Sequence, residues 1–414
     1  MKNASRHLPL YIVVIAMTLV MAATNFIQIF SQRDSFPVHR LALGLDYNDF
    51  YRASLFFCSG RSPYEVDRYV TPPIPAIVNV PLTKLPFPYA RGVVMFGVIT
   101  SVGLSLFLLS RYLAPVTGRC AALFHGWLYF IVVSLSYPFL FLLDRGNIDG
   151  FVLLLLSCGF YLASRSPRSA ALFFGIAVSA KVYPVLVFLP IIAARRWRLL
   201  LFMVAVLIGL VLVAPLHWHT FVTERLLVRT SSFQIDENGS LACTLFFIGN
   251  AFKGLLPSSM SVPFLVYFMK STMFLWSALL LLAFWLDAKA TSMRLPEEFS
   301  VRASLYLPFM VAVPQLAYHY ELVCLLALLP SLCWFWRRSE TTAQRVVVIL
   351  TTLGVAMSQF PAGTLFQLTR VVGWYAVPGL GLFVVMVGSI ALRFAWGDSL
   401  FKSKQSEDSC VHAV

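Results

Sequence analysis

Charge is what this sequence has least of. Asp, Glu, Lys and Arg make up 12% of its 414 residues, about half the share of a soluble globular domain. No segment reads as a soluble domain of 100 residues or more. CxxC and CxxH pairs are absent. The seven cysteines (Cys58, Cys120, Cys158, Cys243, Cys324, Cys333 and Cys410) are scattered, mostly inside apolar runs, which argues against a zinc site or a disulfide framework. No basic domain interleaved with aromatics is present, so nucleic acid is not an expected partner. Internal repeats and low-complexity stretches are missing too. After Lys2 and Arg6 a long apolar stretch runs to Phe30 without a small-residue cleavage site, so it reads as a first span rather than a signal peptide.

What the chain has in excess is apolar length. It is 59% hydrophobic, with 36 Phe, 9 Trp and a mean hydropathy of +0.79. The apolar runs are too many and too long for a globular core, so the bilayer is the expected solvent. The sequence predicts an all-α polytopic membrane protein of about 12 transmembrane helices, some short or broken. The expected spans are 9–30, 92–110, 121–143, 150–163, 169–180, 182–194, 199–216, 262–286, 301–317, 320–336, 346–358 and 371–394. Together they form a single integral membrane domain, 1–396, with long outside loops at 31–91 and 217–261. The tail 397–414 is polar and is expected to be a disordered cytoplasmic segment.

The net charge of +14 supports an orientation. Clusters such as Arg195, Arg196 and Arg198, or Arg337, Arg338 and Arg345, fall on one side when the N-terminus is inside. Asp34, Asp46, Asp49, Glu65, Asp67, Asp144, Asp149, Glu224, Asp236 and Glu237 fall on the other. Both termini are thus expected in the cytoplasm of a bacterial-type plasma membrane, with the long loops outside.

Several residues carry candidate chemistry. In the first loop Asn48 or Asp49 can cap a helix through FYRASLFFCSG that Gly60 ends. Tyr51, Leu55 and Phe56 would share one side of this short helix, which would lie on the membrane. A carboxylate at Asp49, pressed against aromatics and the membrane surface, becomes a better base; the same position reads equally well as a plain N-cap. Lys181 lies between two apolar runs with no other charge from Arg168 to Arg195. A central Lys in a span costs roughly 2.5–3.5 kcal/mol, so it serves either as a counter-charge for an anionic headgroup or as a snorkelling helix end. His319 stands between Tyr318 and Tyr320, and His217 and His219 lack a third metal ligand. The segment Asp144-Arg145-Gly146-Asn147-Ile148-Asp149-Gly150 forms a tight polar turn whose glycines allow a close approach to a ligand. Arg225, Arg229 and Arg370 are basic residues on the acidic side, for which phosphate is one reason.

In their order these pieces resemble glycosyltransferase family 87, membrane enzymes of the GT-C type that include mycobacterial polyprenol-phosphate-mannose-dependent α-1,2-mannosyltransferases. The resemblance is carried by Asp49-Phe50-Tyr51-Arg52-Ala53, Gly60-Arg61-Ser62-Pro63-Tyr64, and the prolines Pro72, Pro73, Pro81 and Pro86. It continues through Gly146-Asn147, Lys181-Val182-Tyr183-Pro184, Arg195-Arg196-Trp197-Arg198, Asn238-Gly239-Ser240 and His319-Tyr320. Val70-Thr71-Pro72-Pro73 stands where the family usually has Tyr-x-Pro, and Asn147 where it usually has Gln.

The resemblance implies a GT-C-type bundle with interfacial helices in the first outside loop. It implies transfer of a hexose, mannose being the first guess, from a polyprenyl-phosphate donor to a lipid or glycan acceptor at the outer face. Asp49 would be the general base of a one-step inverting displacement, with Asp46 in reserve, and His319 would orient the acceptor or bond the phosphate. Lys181, Arg145, Arg225 and Arg370 would meet the donor phosphate; Tyr51, Tyr64, Asn147, Tyr183, Asn238 and Tyr320 would line the substrates. No metal or other cofactor is required, and dependence on a divalent cation stays open. Membrane lipids are the remaining expected partners. The competing expectation is a transporter or flippase of lipid-linked sugar, which would also use an intramembrane Lys and broken helices.

Overall fold

The computed structural model describes residues 44–112, 133, 136–163, 165–226, 258–290, 296–312, 319–359 and 376–396. No strand occurs among them, in keeping with the all-helical expectation. The first loop supplies α1 (Leu45–Cys58) and α2 (Pro73–Val78), followed by the long α3 (Phe87–Tyr112). Next come α4 (Tyr137–Arg145), α5 (Asp149–Leu162) and α6 (Pro167–Ala180). A 3₁₀ turn, Tyr183–Val187, then leads into α7 (Phe188–Ala193), α8 (Trp197–Val213) and α9 (Pro215–Thr220). The later part comprises α10 (Ser258–Lys289), α11 (Pro296–Ser304), α12 (Leu307–Ala312), a 3₁₀ segment at His319–Ala327, α13 (Leu328–Arg337), α14 (Thr342–Ser358) and α15 (Ala376–Ala395).

Among the described residues two helices are long and apolar enough to cross a membrane, Phe87–Arg111 and Val377–Ala395. A third crossing arises if Trp197–Val213 and Pro215–Leu226, bent by 102° at their junction, form one span. The expected spans at 150–163, 169–180, 182–194, 320–336 and 346–358 are apolar helices of only 10–17 residues, short of the roughly 20 residues a bilayer core requires. The expected span 301–317 is broken between α11 and α12. Pro308 explains the break: it has no N–H to donate to the carbonyl of Ser304, so one helix cannot run through. The span 9–30 lies outside the described residues, as does most of 121–143.

Short helices bring charged ends together inside the bundle. The chain leaves the Asp149 end in α5, turns, and returns in α6 to Lys181, whose ammonium meets Asp149. It then reverses again, because the Arg196 guanidinium donates to the carbonyl of Ala163 at the far end of α5, 2.8 Å away. Lys181 is therefore the apex of a hairpin whose legs are α6 and the Tyr183–Ala193 segment. Its backbone is extended (φ −145°, ψ 149°), and Pro184 lies just beyond it at the start of the 3₁₀ turn.

The long helix α3 runs beside α5. A Cβ at Gly150 would lie 2.8 Å from the Val98 Cγ1 and 3.3 Å from the Val98 carbonyl, so only glycine allows this approach. Asp149 is thus level with Val98, about three turns beyond the start of α3. The first half of α3 rises past the ends of α5 and α6, and the first loop fills the space beside it. Tyr47 and Tyr51 of α1 hold the Phe87 ring between them, with ring centroids 5.8 and 5.5 Å away.

At the opposite end of the bundle the helices are locked by buried charge. The Arg393 Nε donates to the Asp287 Oδ2 at 2.8 Å, and the Arg302 Nη1 approaches the Asp287 Oδ1 at 3.5 Å. Arg302 also donates to the Trp396 carbonyl at 2.9 Å and lies 3.8 Å from Glu298. Asp287 and the Arg393 side chain have no exposed surface. The network joins the ends of α10, α11 and α15. It lies far from Asp149, because Ser300 of α11 donates to the carbonyl of Phe160 near the end of α5.

Candidate functional site

The first loop is built around one helix. Instead of beginning at Asn48 or Asp49, α1 is preceded by Gly44 in the left-handed region (φ 78°) and starts at Leu45. Asp49 therefore sits in the second turn, half-buried, and the N-cap reading of this carboxylate does not apply. Asp46 precedes it by one turn, so the two acids share a face. The face of α1 buried inside the protein is Tyr47, Phe50, Ala53 and Ser54. This face packs against the rest of the loop and α3, while Leu55 stays exposed on the other side.

Hydrogen bonds fix the loop in place. Tyr47 donates to the Asn79 Oδ1 at 3.2 Å, and the Asn79 amide donates to the Ser54 Oγ at 3.1 Å. Tyr51 donates to the Leu85 carbonyl at 2.8 Å and Tyr64 to the Thr71 carbonyl at 3.2 Å. Burial pushes the Tyr47 phenol up to about 12 and raises the Tyr64 and Tyr69 phenols further, so all three remain neutral donors. A hydrogen bond from Arg61 holds the Glu65 carboxyl below the usual range. Tyr51 and Tyr64, expected to line substrate, spend their hydroxyls on the loop's own backbone. Arg225 is also committed. Its guanidinium donates to the carbonyls of Tyr64 and Asp67, the latter at 3.1 Å, which straps the second loop to the first, while its Nε makes no hydrogen bond.

The residues that converge lie around the turn after α4. Asn147 is 3% exposed and donates its Nδ2 to the Asp46 Oδ2 at 2.7 Å, which ties this turn to α1. Two residues on, Asp149 is fully buried. The Tyr183 hydroxyl donates to its Oδ1 at 2.7 Å, and the Lys181 ammonium stands 3.3 Å from its Oδ2. That contact is an ion pair in distance, although Oδ2 receives no aligned hydrogen bond; Coulomb attraction does not require alignment. The Asn147 Oδ1 is likewise buried and receives no hydrogen bond. Asn147, Lys181 and Tyr183 were legible as candidates in the sequence, but Asp149 was not singled out. The signal that could have found it is an acid opening an apolar helix that carries no other charge, where the N-terminal dipole favours an anion.

The other candidates are placed less centrally or lie outside the described residues. Arg145 ends α4 with its guanidinium 5.0 Å above the Phe141 ring. His319 and Tyr320 open the 3₁₀ segment that packs along α4, and the positions of their side chains lie outside what is described. Arg370 and Asn238 fall outside the described residues altogether.

Gly146 makes the junction between α1 and the turn. It closes α4 at φ 64°, and a Cβ there would lie 2.8 Å from the Tyr47 Cβ. Gly60 has a similar φ of 73° with open space around it. Gly146→Ala is therefore expected to destabilise the fold by about 1–3 kcal/mol more than Gly60→Ala, because the clash adds to the left-handed strain. Thermal unfolding of both variants in detergent checks this; equal losses would show that Tyr47 yields without cost.

Among the described residues only helices occur, with two apolar spans and a polar cluster between short helices, as in an integral membrane protein. The family model of glycosyltransferase family 87 matches residues 69–295, just over half of the sequence. The chain belongs to glycosyltransferase family 87. The matched segment contains Asn147, Asp149, Lys181, Tyr183 and Arg225, whereas Asp46 and Asp49 precede it and His319 follows it. The chain is also similar to "GPI mannosyltransferase 1" of Kluyveromyces lactis, with 26% identity over 178 residues, which is 40% of this chain and 42% of that protein. The chain spans less than half the length of that relative.

Proposed function

We propose that this glycosyltransferase moves a hexose, with mannose as the first candidate, from a polyprenyl-phosphate donor to a lipid or glycan acceptor at the outer face of the membrane. The reading rests on one observation above all. The first-loop helix bearing Asp46 and Asp49 is tied through Asn147 to the turn that leads into Asp149 and Lys181. Carboxylates and a cation thus meet at one end of the bundle, beside apolar helices that can admit a lipid chain.

The chemistry follows from those groups. The acceptor hydroxyl attacks the anomeric carbon, the bond from that carbon to the phosphate oxygen breaks, and polyprenyl phosphate leaves. Asp49 takes the acceptor proton. Attack opposite to departure inverts the anomeric configuration in one step. The departing phosphate gathers negative charge, which Lys181 offsets from the hairpin apex. His319, on the 3₁₀ segment beside α4, assists the phosphate or the acceptor. No metal is assigned a role.

The test is direct. Purified protein in detergent is given radiolabelled polyprenyl-phosphate mannose together with a lipid extract as acceptor, and a labelled glycolipid is expected. A protein that forms no labelled product with mannosyl or glucosyl donors, in any acceptor extract, lacks this activity.

A further inference from the structure

The role of Asp149 is open after this assignment. Resting on the reading above, that Lys181 meets a lipid phosphate, we infer that Asp149 is a positioning counter-ion that holds Lys181 between turnovers and competes with the phosphate for it, so that the spent polyprenyl phosphate is released.

Three observations carry the inference. Asp149 is wholly buried, and a buried carboxylate needs a cation close by. Its two oxygens are treated differently. Oδ1 is anchored by the Tyr183 hydroxyl at 2.7 Å, which fixes the carboxylate in place. Oδ2 faces the Lys181 ammonium at 3.3 Å without an aligned hydrogen bond, so this contact is held by charge and not by a directed bond. The third is the backbone. Lys181 is at the apex of a hairpin with extended dihedral angles, and its side chain retains 12% exposure while its partner has none. The cation is thus the more accessible partner, and the carboxylate is the one enclosed. Tyr183 lies two residues from Lys181 on the same turn, so the phenol and the ammonium are set against one carboxylate by a single local structure.

The arrangement has a definite energetic consequence. An ammonium held by a fixed carboxylate binds an incoming phosphate less tightly than a bare one, because the phosphate must displace the carboxylate and then lies near its negative charge. The same competition speeds departure of the product. Without it, Lys181 would keep the lipid phosphate and the enzyme would stall.

The experiment measures binding of polyprenyl phosphate, without sugar, to the full-length protein in detergent. Asp149→Asn is expected to bind it about 10-fold more tightly than the wild type, and to turn over more slowly with slower release. Damage to the fold would weaken binding, so tightening is a sign that a merely structural role cannot give. Asp149→Glu keeps the charge and should restore the wild-type affinity. Lys181→Gln should weaken binding about 10-fold, and it also covers the case in which Asp149→Asn does not fold. The charge-neutral double variant, Asp149→Asn with Lys181→Gln, should fold and bind as weakly as Lys181→Gln alone.

Unchanged or weaker binding in folded Asp149→Asn overturns the inference, and so does a wild type that does not bind polyprenyl phosphate. If Asp149→Asn does not fold, unchanged affinity in Lys181→Gln overturns it. Dioleoyl phosphatidic acid binding as tightly as polyprenyl phosphate would assign the anion to a bilayer lipid and overturn the product-release role. Binding that follows the expected pattern in a protein that transfers no sugar would sustain the counter-ion and sink the transferase reading.

Discussion

Replacing Asp49 with Asn is expected to lower sugar transfer by about 10²–10⁴-fold, the contribution of a positioned general base, while folded protein accumulates normally. The second half of this expectation comes from the structure. Had Asp49 been the N-cap, its replacement would have confounded catalysis with the loss of a helix end. The helix starts at Leu45 after Gly44, and Asp49 is half-buried in its second turn. Asn has nearly the same shape, so packing is kept while the carboxylate charge and its capacity to take a proton are lost. Asp46→Asn is the comparison. Asp46 accepts the Asn147 amide, so its replacement should loosen the link between α1 and the turn and affect substrate affinity more than turnover. The measurement is initial rate against donor concentration for both variants, at matched yield of folded protein. A large turnover loss at Asp46 with none at Asp49 would move the base to the reserve position.

The second large effect is on stability and lies at the other end of the molecule. Asp287→Ala is expected to remove about 3–5 kcal/mol, the cost of leaving a buried charge without its partner. A domain has only about 5–15 kcal/mol in total, so little folded protein should be recovered. Two arginines depend on this carboxylate: Arg393 at 2.8 Å and Arg302 at 3.5 Å, both nearly or wholly buried. Arg302 retains Glu298 at 3.8 Å and the Trp396 carbonyl, so Arg393 is the charge left worst placed. Adding Arg393→Met should recover part of the loss, because an apolar side chain needs no counter-ion. Yield and thermal midpoint by size-exclusion chromatography in detergent read both effects. A single Asp287→Ala variant as stable as the wild type would show that the network contributes nothing.

Much of the helical layout was legible because a bilayer demands long apolar runs and places charge between them. The runs at 92–110, 199–216, 262–286 and 371–394 coincide with helices α3, α8, α10 and α15, each broadly as expected. The break at Lys181 was legible as well, since a charge followed by Pro184 in apolar surroundings interrupts a helix for local reasons. Local patterns served less well in the first loop. The aromatic residues marked a helix with Tyr51, Leu55 and Phe56 on one side, but only the fold shows that Phe87 and Asn79, dozens of residues away, hold Tyr47, Phe50 and Ser54 inward. Arg225 stood out as a cation on the acidic side. The sequence could not show that its guanidinium also straps the two outside loops together through the carbonyls of Tyr64 and Asp67.

By itself, the sequence determined that this is an all-helical, lipid-facing chain with family 87 motifs and a charged residue where a bilayer tolerates few. Those properties follow from composition and order, which act through solvent and local geometry. Tertiary structure alone decided which charges meet. Asp149 was one acid among many outside the spans, and nothing in the sequence singled out Asp287 or Arg393. Burial made them partners, since a charge removed from water is governed by whichever opposite charge the fold brings within a few ångströms. That pairing depends on helices being short in one place and long in another, and no window along the chain contains it.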